Sequence, residues 1–176
     1  MTLFAQIIAL FHREDIPCAL IGASALAVHG IPRSTYDLDL LTTSPRALEP
    51  SLWEPLSAHG VSVDVRAGDA ADPLRGVVRM QQAGDRDVDV VVGRHQWQRD
   101  LLGRAVPSRV LNEDVPVVLK GDLILLKLYA GGHQDVWDIE QLLADADQDV
   151  RTHVASRISV LPPDCQSQWT ELTRRR

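Results

Sequence analysis

The sequence predicts an α/β (α+β) fold: a small mixed β-sheet flanked by helices, with a helical wall at the C-terminus. Two observations support this prediction. Apolar segments of strand length alternate with helix-length segments through residues 1–105, which is typical of mixed sheets with flanking helices. Apolar segments of helix length, broken by Gly and Pro, dominate residues 106–176. We therefore divide one domain into a sheet core (1–105) and a C-terminal helical part (106–176).

The individual elements follow from local patterns. The first residues have apolar side chains at amphipathic-helix spacing, and a short apolar run ending at Gly22 favours a strand that leads into a helix. Residues 106–116 have room for a short strand, whereas Leu161-Pro162-Pro163 breaks regular structure and leaves a frayed basic tail. In order, the predicted elements are helix 2–14, strand 18–22, helix 24–30, strand 36–42, helix 45–59, strands 61–66, 76–82 and 86–92, and helices 94–103, 121–130 and 136–145.

Composition suits a small enzyme with a hydrophobic core. The 176 residues are 45% hydrophobic and 24% charged, with a formal net charge of −6. Cys18 and Cys165 lie far apart in the sequence, which predicts free thiols and a reducing, cytoplasmic location. The segment Met1 to Phe11 lacks a basic start and fits a helix better than a signal peptide. No apolar run approaches the roughly 20 residues that a membrane span requires.

Asp37 and Asp39 occupy alternate positions of the predicted strand 36–42. Alternate residues of a strand project from one face, roughly 7 Å apart at Cα. Two carboxylates that close repel each other unless a cation lies between them, and hard divalent cations prefer oxygen ligands. The spacing therefore indicates a Mg²⁺ site, although two aspartates on a strand can also form only its solvated face.

Gly22-Ala23-Ser24 joins a predicted strand to a predicted helix just upstream of these acids. Free backbone N–H groups and the positive end of the helix dipole attract phosphate at such a junction. Small residues at a turn can equally serve tight packing. Their closeness to the paired acids favours a phosphate site beside a metal site.

This combination resembles the DNA polymerase beta-like nucleotidyltransferase superfamily, whose pattern is Gly, then Gly or Ser, a helix, and a strand bearing Asp-x-Asp or Asp-x-Glu. The segment Gly22 to Leu41, with Arg33-Ser34-Thr35 before the acids, is closest to the minimal and abortive-infection (type IV toxin–antitoxin) nucleotidyltransferases. The resemblance implies the nucleotidyltransferase fold and nucleotide contacts at Gly22, Ala23 and Ser24. Ala23 departs from the pattern, so the serine contact to phosphate is lost or passes to Ser24.

The resemblance also implies a third carboxylate on a neighbouring strand. In Asp87-Val88-Asp89-Val90 the acids share one face and the valines the other. We predict Asp89 as the third acid and Asp87 as a solvated partner, with Asp64 as the rival. By the family pattern Asp37 and Asp39 hold two Mg²⁺ ions, while Asp89 completes the ion nearest the acceptor and can take its proton.

Lys127 is the only charge inside an apolar run of the C-terminal part. A buried ammonium needs a path to solvent or an anionic partner, and a nucleotide phosphate is such a partner. Gly131-Gly132 should end this helix, and Asp135 should cap the next. Toxin-type members of the family carry a Lys and a later Asp in this region. The resemblance therefore implies catalytic roles for Lys127 and Asp138.

Three further polar residues, one arginine and two histidines, are considered as site residues. Arg33 can reach a triphosphate oxygen or lie on the surface, and the sequence does not decide between these positions. His29 stands at a helix end, where an imidazole favours the negative end of the dipole. His133 lies in the Gly-Gly turn and should be exposed. Neither histidine has the neighbours that a zinc site needs.

Together these features predict Mg²⁺-dependent transfer of a nucleoside monophosphate from an NTP to a hydroxyl acceptor. The acceptor stays open between a tRNA 3′ end, a protein Tyr, Ser or Thr, and a small molecule; the acidic composition argues mildly against broad nucleic-acid affinity. A toxin of this kind would be paired with an antitoxin protein. The alternative is a catalytically silent module that binds nucleotide or a partner, which Ala23 favours and the acids oppose.

Overall fold

The computed structural model describes residues 1–33, 35–144 and 146–174. The strands are β1 (Cys18–Ile21), β2 (Leu38–Thr42), β3 (Ser62–Ala67), β4 (Leu74–Gln81), β5 (Val88–Gly93), β6 (Val106–Val110) and β7 (Glu113–Val117). The helices are α1 (Leu3–Arg13), α2 (Gly22–Val28), α3 (Pro50–Ser57), α4 (Gln96–Leu102), α5 (Lys120–Ala130), α6 (His133–Ala144), α7 (Gln148–Ala155) and α8 (Pro163–Arg174).

The strands form one 7-stranded mixed sheet in the order β3-β4-β5-β2-β1-β7-β6. β2 pairs with β5 and β1 pairs with β7 in parallel, and the other neighbours are antiparallel. The predicted fold class, a mixed sheet with flanking helices, is confirmed. No described helix has both the length and the apolar character needed to cross a bilayer.

The chain forms two compact units: Met1–Ala25 with Arg33–Val118, and Leu26–Pro32 with Leu119–Arg176. The first unit holds the sheet. Its core includes one face of the central strands, where each buried aliphatic side chain contributes roughly 1.5–3 kcal/mol. Fully buried residues of this face are Leu38, Leu40, Val78, Met80, Val88, Val90 and Val92. Phe11 of α1 packs near Trp53 of α3, with ring centroids 5.7 Å apart.

The second unit is built around α5, which packs against α6, α7 and α8. Gly131 ends α5 in the left-handed conformation (φ +69°), as its place in the Gly-Gly pair predicts. The Asp147 side chain caps α7 by accepting from the backbone N–H of Val150. The apolar residues that this unit buries include Leu123, Ile124, Leu125, Leu128, Ile139, Leu142, Leu143, Val154 and Trp169.

The predicted helix 45–59 is divided in the structure into a short 3₁₀ helix, Pro45–Leu48, and α3. Pro50 explains the division. A proline disfavours helical backbone in the residue before it, and Glu49 is accordingly extended. Proline itself fits the first position of a helix because its missing N–H would be unpaired there. The chain therefore restarts its helix at Pro50.

The predicted division at residue 105 falls inside the sheet unit, which continues to Val118. The reason is a β6–β7 hairpin, of which the sequence predicted at most one short strand. Leu111 and Asn112 both have positive φ at its turn, as a tight two-residue hairpin requires. β7 then pairs with β1 and joins the hairpin to the sheet.

α8 was not predicted, because the Pro162-Pro163 pair indicates only a break in regular structure. Pro163 is the first residue of this helix, another position where proline is tolerated. α7 was not predicted either. Both helices extend the helical unit beyond the elements that the sequence indicated.

Candidate functional site

Asp39 and Asp89 lie side by side on the sheet. β2 and β5 are parallel neighbours, and their register pairs Asp39 directly with Asp89. The residues on either side of each acid are buried on the opposite face. Because neighbouring strands are about 4.8 Å apart, the two carboxylates project together from one polar face. The prediction that these acids share a face is confirmed.

Asp37 lies outside the strand, in the irregular segment that leads into β2. Its backbone N–H donates to Thr35 Oγ1 at 3.3 Å, and the Thr35 hydroxyl donates to the Asp37 carbonyl oxygen at 3.1 Å. This small turn fixes the backbone two residues before Asp39. Asp37 is half-buried, as Asp39 is.

Gly22, the first residue of α2, makes room for the Asp39 carboxylate. Ile21 pairs with Asp39 across β1 and β2, so the chain turns into α2 directly beside this acid. Gly22 has φ +64°, and a Cβ built on it would overlap Oδ2 of Asp39. The strand-to-helix junction and the acidic strand are therefore in contact, as the sequence predicted.

Gly22→Ala should lower the free energy of unfolding by more than the roughly 1–2 kcal/mol that left-handed backbone costs a non-glycine residue. The reason is the added clash with Asp39. Gly60→Ala is a matched control, because Gly60 also has positive φ (+85°) but a Cβ there would meet nothing within 4 Å. Urea unfolding of both variants measures the difference. Equal losses would show that the approach of Asp39 to Gly22 is unimportant.

Arg79 binds both carboxylate oxygens of Asp89. The two residues are cross-strand partners on β4 and β5, with Nε to Oδ1 at 3.0 Å and Nη2 to Oδ2 at 2.7 Å. The hydrogen bonds to Asp89 raise the pKa of Arg79, and the charges of Asp89, Asp37 and Asp87 raise it further. Arg79 is therefore a permanent cation on the polar face. Sequence reasoning missed it, because the strand pairing that brings it to Asp89 is not visible in local patterns.

The other two acids considered from the sequence have partners of their own. Asp64 accepts from Arg66 at 2.7 Å in an exposed pair on β3. Asp87 accepts from the side chain of Gln81 at 2.6 Å. Asp64 lies in the same row of the sheet as Asp89, but β4 separates them. These positions favour Asp89 over Asp64 as the acid that acts together with Asp39.

The predicted cluster of Asp37, Asp39 and Asp89 is not assembled as a metal site. Within residues 1–33, 35–144 and 146–174, no group of at least three His, Cys, Asp or Glu side chains is arranged to hold a metal ion. The physical reason at Asp89 is that both its oxygens accept from Arg79. Asp37 and Asp39 still offer the hard oxygen donors that Mg²⁺ prefers, and the absence of a side chain on Gly22 admits the Asp39 carboxylate at the strand-to-helix turn. That Asp37 and Asp39 bind a divalent cation stays a prediction, and Asp89 is already bound by Arg79.

The predicted phosphate-binding residues form the start of α2. Ala23 and Ser24 are both buried, with 7% and 8% of their surface exposed. Arg33 is half-buried, and Ser34 after it lies outside the described residues. His29 is half-buried just after α2, and His133 is exposed at the start of α6, as expected. The role of these residues in nucleotide binding stays a prediction.

Lys127 is buried in the helical unit and has carboxylate partners there. Its ammonium contacts Asp138 at 2.5 Å and Asp135 at 3.0 Å, and its side chain is only 8% exposed. Carboxylates of the chain itself therefore supply the anionic partner for which the sequence suggested a nucleotide phosphate. Asp135 both pairs with Lys127 and accepts from the backbone N–H of Gly132 at 3.1 Å, which is the predicted capping role at α6.

A second buried pair was not predicted. His153 of α7 contacts Asp122 of α5 at 2.8 Å, and Asp122 is fully buried. Gly121 allows this approach, since a Cβ there would lie 2.6 Å from the His153 ring. Asp122 carried no signal in the sequence beyond its place near a helix start. The pair links α5 to α7 inside the helical unit.

The two cysteines are free thiols, as predicted. Cys18 of β1 is largely buried, and this burial raises the pKa of its thiol to about 12. Burial also raises the pKa of the Cys165 thiol. Both groups are thus poor nucleophiles near neutral pH, since the thiolate is the reactive form.

Comparison with known proteins places the fold among nucleotidyltransferases. No protein-family profile and no curated protein sequence matches the chain. Among solved structures, the antibiotic-resistance factor ANT(2″)-Ia is similar, with a TM-score of 0.57, 15% identity, and coverage of 89% of this chain and 90% of that one. ANT(2″)-Ia in complex with adenylyl-2″-tobramycin gives a TM-score of 0.56, 14% identity and coverage of 89% and 95%.

The lincosamide antibiotic adenylyltransferase LnuA, with lincomycin bound, is similar with a TM-score of 0.51, 12% identity, and coverage of 81% of this chain and 96% of that one. At these identities the likeness concerns the fold. The chain thus has the nucleotidyltransferase fold that its sequence pattern implied.

Proposed function

We propose that this protein transfers a nucleoside monophosphate from an NTP to a hydroxyl group. The observation that carries the proposal is the in-register pair of Asp39 and Asp89 on neighbouring parallel strands, with Asp39 against Gly22 at the start of α2. Paired carboxylates beside a strand-to-helix turn offer a cation site next to free backbone N–H groups. This is the arrangement that a triphosphate with its divalent cation requires.

Each acid has a separate role in this proposal. A divalent cation bound by Asp37 and Asp39 would neutralise triphosphate charge. The acceptor oxygen attacks the α-phosphorus, the bond from that phosphorus to the oxygen bridging to the β-phosphate breaks, and pyrophosphate leaves. Asp89 accepts the hydroxyl proton. Its oxygens can do so while bound to Arg79, because each carboxylate oxygen has a second lone pair.

A small hydroxylated molecule is the acceptor that the structure favours. A cavity of about 420 Å³ lies on the sheet unit and is lined by Asp64, Arg66, Val77 and Arg79, among others. This volume is in the range of small-molecule sites. Arg79 lines the cavity and also binds Asp89, the acid that would take the acceptor proton, so this one side chain connects the cavity to that acid. Two proteins of similar fold support the same acceptor class: ANT(2″)-Ia, seen with adenylyl-2″-tobramycin, and the lincosamide antibiotic adenylyltransferase LnuA, seen with lincomycin.

The test is transfer of label from each α-labelled NTP, with Mg²⁺, to separate pools of aminoglycosides, lincosamides, total tRNA and cell-extract protein. Label in a small-molecule pool supports the proposal as stated. Label in tRNA or protein would keep the reaction but change the acceptor, and the toxin–antitoxin hypothesis would gain if expression of the wild type, but not of Asp39→Asn, stopped growth. No label and no pyrophosphate with any NTP would contradict the reaction.

The silent nucleotide-binding module is the second candidate, and two observations favour it. Ala23 replaces the family's Gly or Ser, and Arg79 occupies both oxygens of Asp89. Such a module should still bind Mg-NTP. Binding at a hundred times Kd would stabilise the fold by about 2.7 kcal/mol, measurable as a rise in the thermal midpoint. Stabilisation without pyrophosphate release would identify the module; stabilisation with release would identify the enzyme.

A further inference from the structure

Arg79 stands at the centre of an acidic row that crosses the sheet. The strand registers align Asp64 of β3, Arg79 of β4, Asp89 of β5 and Asp39 of β2 side by side. Neighbouring members of such a row are about one strand spacing, roughly 4.8 Å, apart. Arg79 thus has an acid on each side in its own row, and Asp37 and Asp87 also act on its charge.

The contact with Asp89 differs from an ordinary surface ion pair. The Asp89 side chain is 14% exposed and that of Arg79 is 53% exposed, and the guanidinium donates to both carboxylate oxygens. The neighbouring pair of Arg66 and Asp64 has side chains that are 77% and 50% exposed. Bidentate, charge-assisted hydrogen bonds to a shielded carboxylate hold their geometry, whereas exposed pairs contribute little.

We propose that Arg79 is a built-in cation for Asp89, which takes the position that a second divalent ion would otherwise occupy. The acidic face then binds one divalent ion, at Asp37 and Asp39, and the guanidinium neutralises the third acid. This rests on the proposed function only in naming these acids as the catalytic set. A guanidinium in place of a divalent ion is physically sensible, because Asp39 and Asp89 would repel each other without a cation at Asp89.

Removing the guanidinium should therefore create a second ion site. In Arg79→Gln, Asp89 stands beside Asp39 with no cation of its own, which is the situation that a divalent ion relieves. Arg66→Gln is the matched control: the same change, on the same face, one strand away, at an exposed pair. The double variant, Arg79→Gln with Asp89→Asn, is a second control, because it also lacks the carboxylate that would hold the additional ion.

The experiment titrates the full chain with Mn²⁺ in the absence of nucleotide and counts bound ions by electron paramagnetic resonance. We expect one ion in the wild type and in Arg66→Gln, two in Arg79→Gln, and one again in the double variant. Two ions in the wild type would overturn the proposal. So would an unchanged count in Arg79→Gln, or an additional ion that survives Asp89→Asn.

A second measurement uses the wild type alone, in case Arg79→Gln does not fold. The Nε–H of Arg79 donates to Asp89, so its ¹⁵N-resolved resonance reports this contact. We expect the resonance to keep its position within a line width when the protein is saturated with Mg²⁺. Its loss, or a shift to that of a solvated arginine, would show that the divalent ion displaces Arg79.

These readouts separate the two proposals. If no NTP yields pyrophosphate but the ion counts are as expected, the proposed reaction fails and the role of Arg79 stands. If label is transferred and the wild type binds two ions, the reaction stands and the built-in cation is wrong.

Discussion

Asp39→Asn should reduce nucleotidyl transfer by at least about a hundredfold while the chain stays folded. In the proposed function Asp39 is a cation ligand, and the stabilisation of transition-state charge by a bound cation is worth several kcal/mol. Each 1.36 kcal/mol is a factor of ten in rate. The amide keeps nearly the same shape beside Gly22. It also removes like-charge repulsion with the neighbouring Asp89.

The measurement is the rate of pyrophosphate release with saturating Mg-NTP and acceptor. Asp87→Asn is the matched control, since Asp87 lies directly before β5 and accepts from the Gln81 side chain. The activity of this variant should remain near that of the wild type. The thermal midpoint in EDTA is the stability control. We expect the corresponding change in the free energy of unfolding to be no larger than that of a surface substitution, about 0.5 kcal/mol. A large fall in that midpoint would show Asp39 to be a structural residue.

Lys127→Met should destabilise the protein by about 3–5 kcal/mol, because it removes the ammonium that pairs with the buried carboxylate of Asp138. Asp138 is fully buried, and Asp135 is a second carboxylate that contacts the Lys127 ammonium. Urea unfolding measures the loss, and Lys120→Met is the matched control on the same helix, where the side chain is less buried.

The pairing hypothesis makes a second, stricter demand. Lys127→Met combined with Asp138→Leu should recover much of the stability, since replacing a buried ion pair by apolar residues is often neutral or stabilising. The Kd for Mg-NTP decides the remaining question. A tenfold rise, equivalent to about 1.4 kcal/mol, in a variant that remains folded would restore Lys127 as a nucleotide ligand. Unchanged Kd with lost stability would make Lys127 structural.

The local sequence pattern predicts the position of a site residue where side chains alternate between the two faces of a strand. The alternation around Asp39 and Asp89 predicts which face each acid occupies, and the register of β2 and β5 adds that the two are neighbours. Asp37 lies before β2, so the predicted alternation does not place it. Arg79 could not be found this way. It reaches Asp89 through the pairing of β4 with β5, and strand pairing depends on contacts across the whole sheet.

The partners of Lys127 were within reach of the sequence. Asp135 and Asp138 are three residues apart, so they lie on one face of α6, and the Gly-Gly turn brings α6 back against α5. What misled the prediction was assigning Asp135 to capping alone. The pair of Asp122 and His153 is different, because it joins α5 to α7 and no local pattern predicted α7.

The pairing of β1 with β7 has a consequence for how the chain folds. β1 lies between β2, its near neighbour in sequence, and β7. Val117 of β7 pairs with Leu20 of β1, although most of the sequence of the sheet unit lies between these two residues. Contacts between such distant segments form slowly, because a long loop must close first. Until β7 has been synthesised, a nascent chain carries β1 as an open edge that can pair with another molecule. The last hairpin of the unit therefore protects the strand that leads into Gly22.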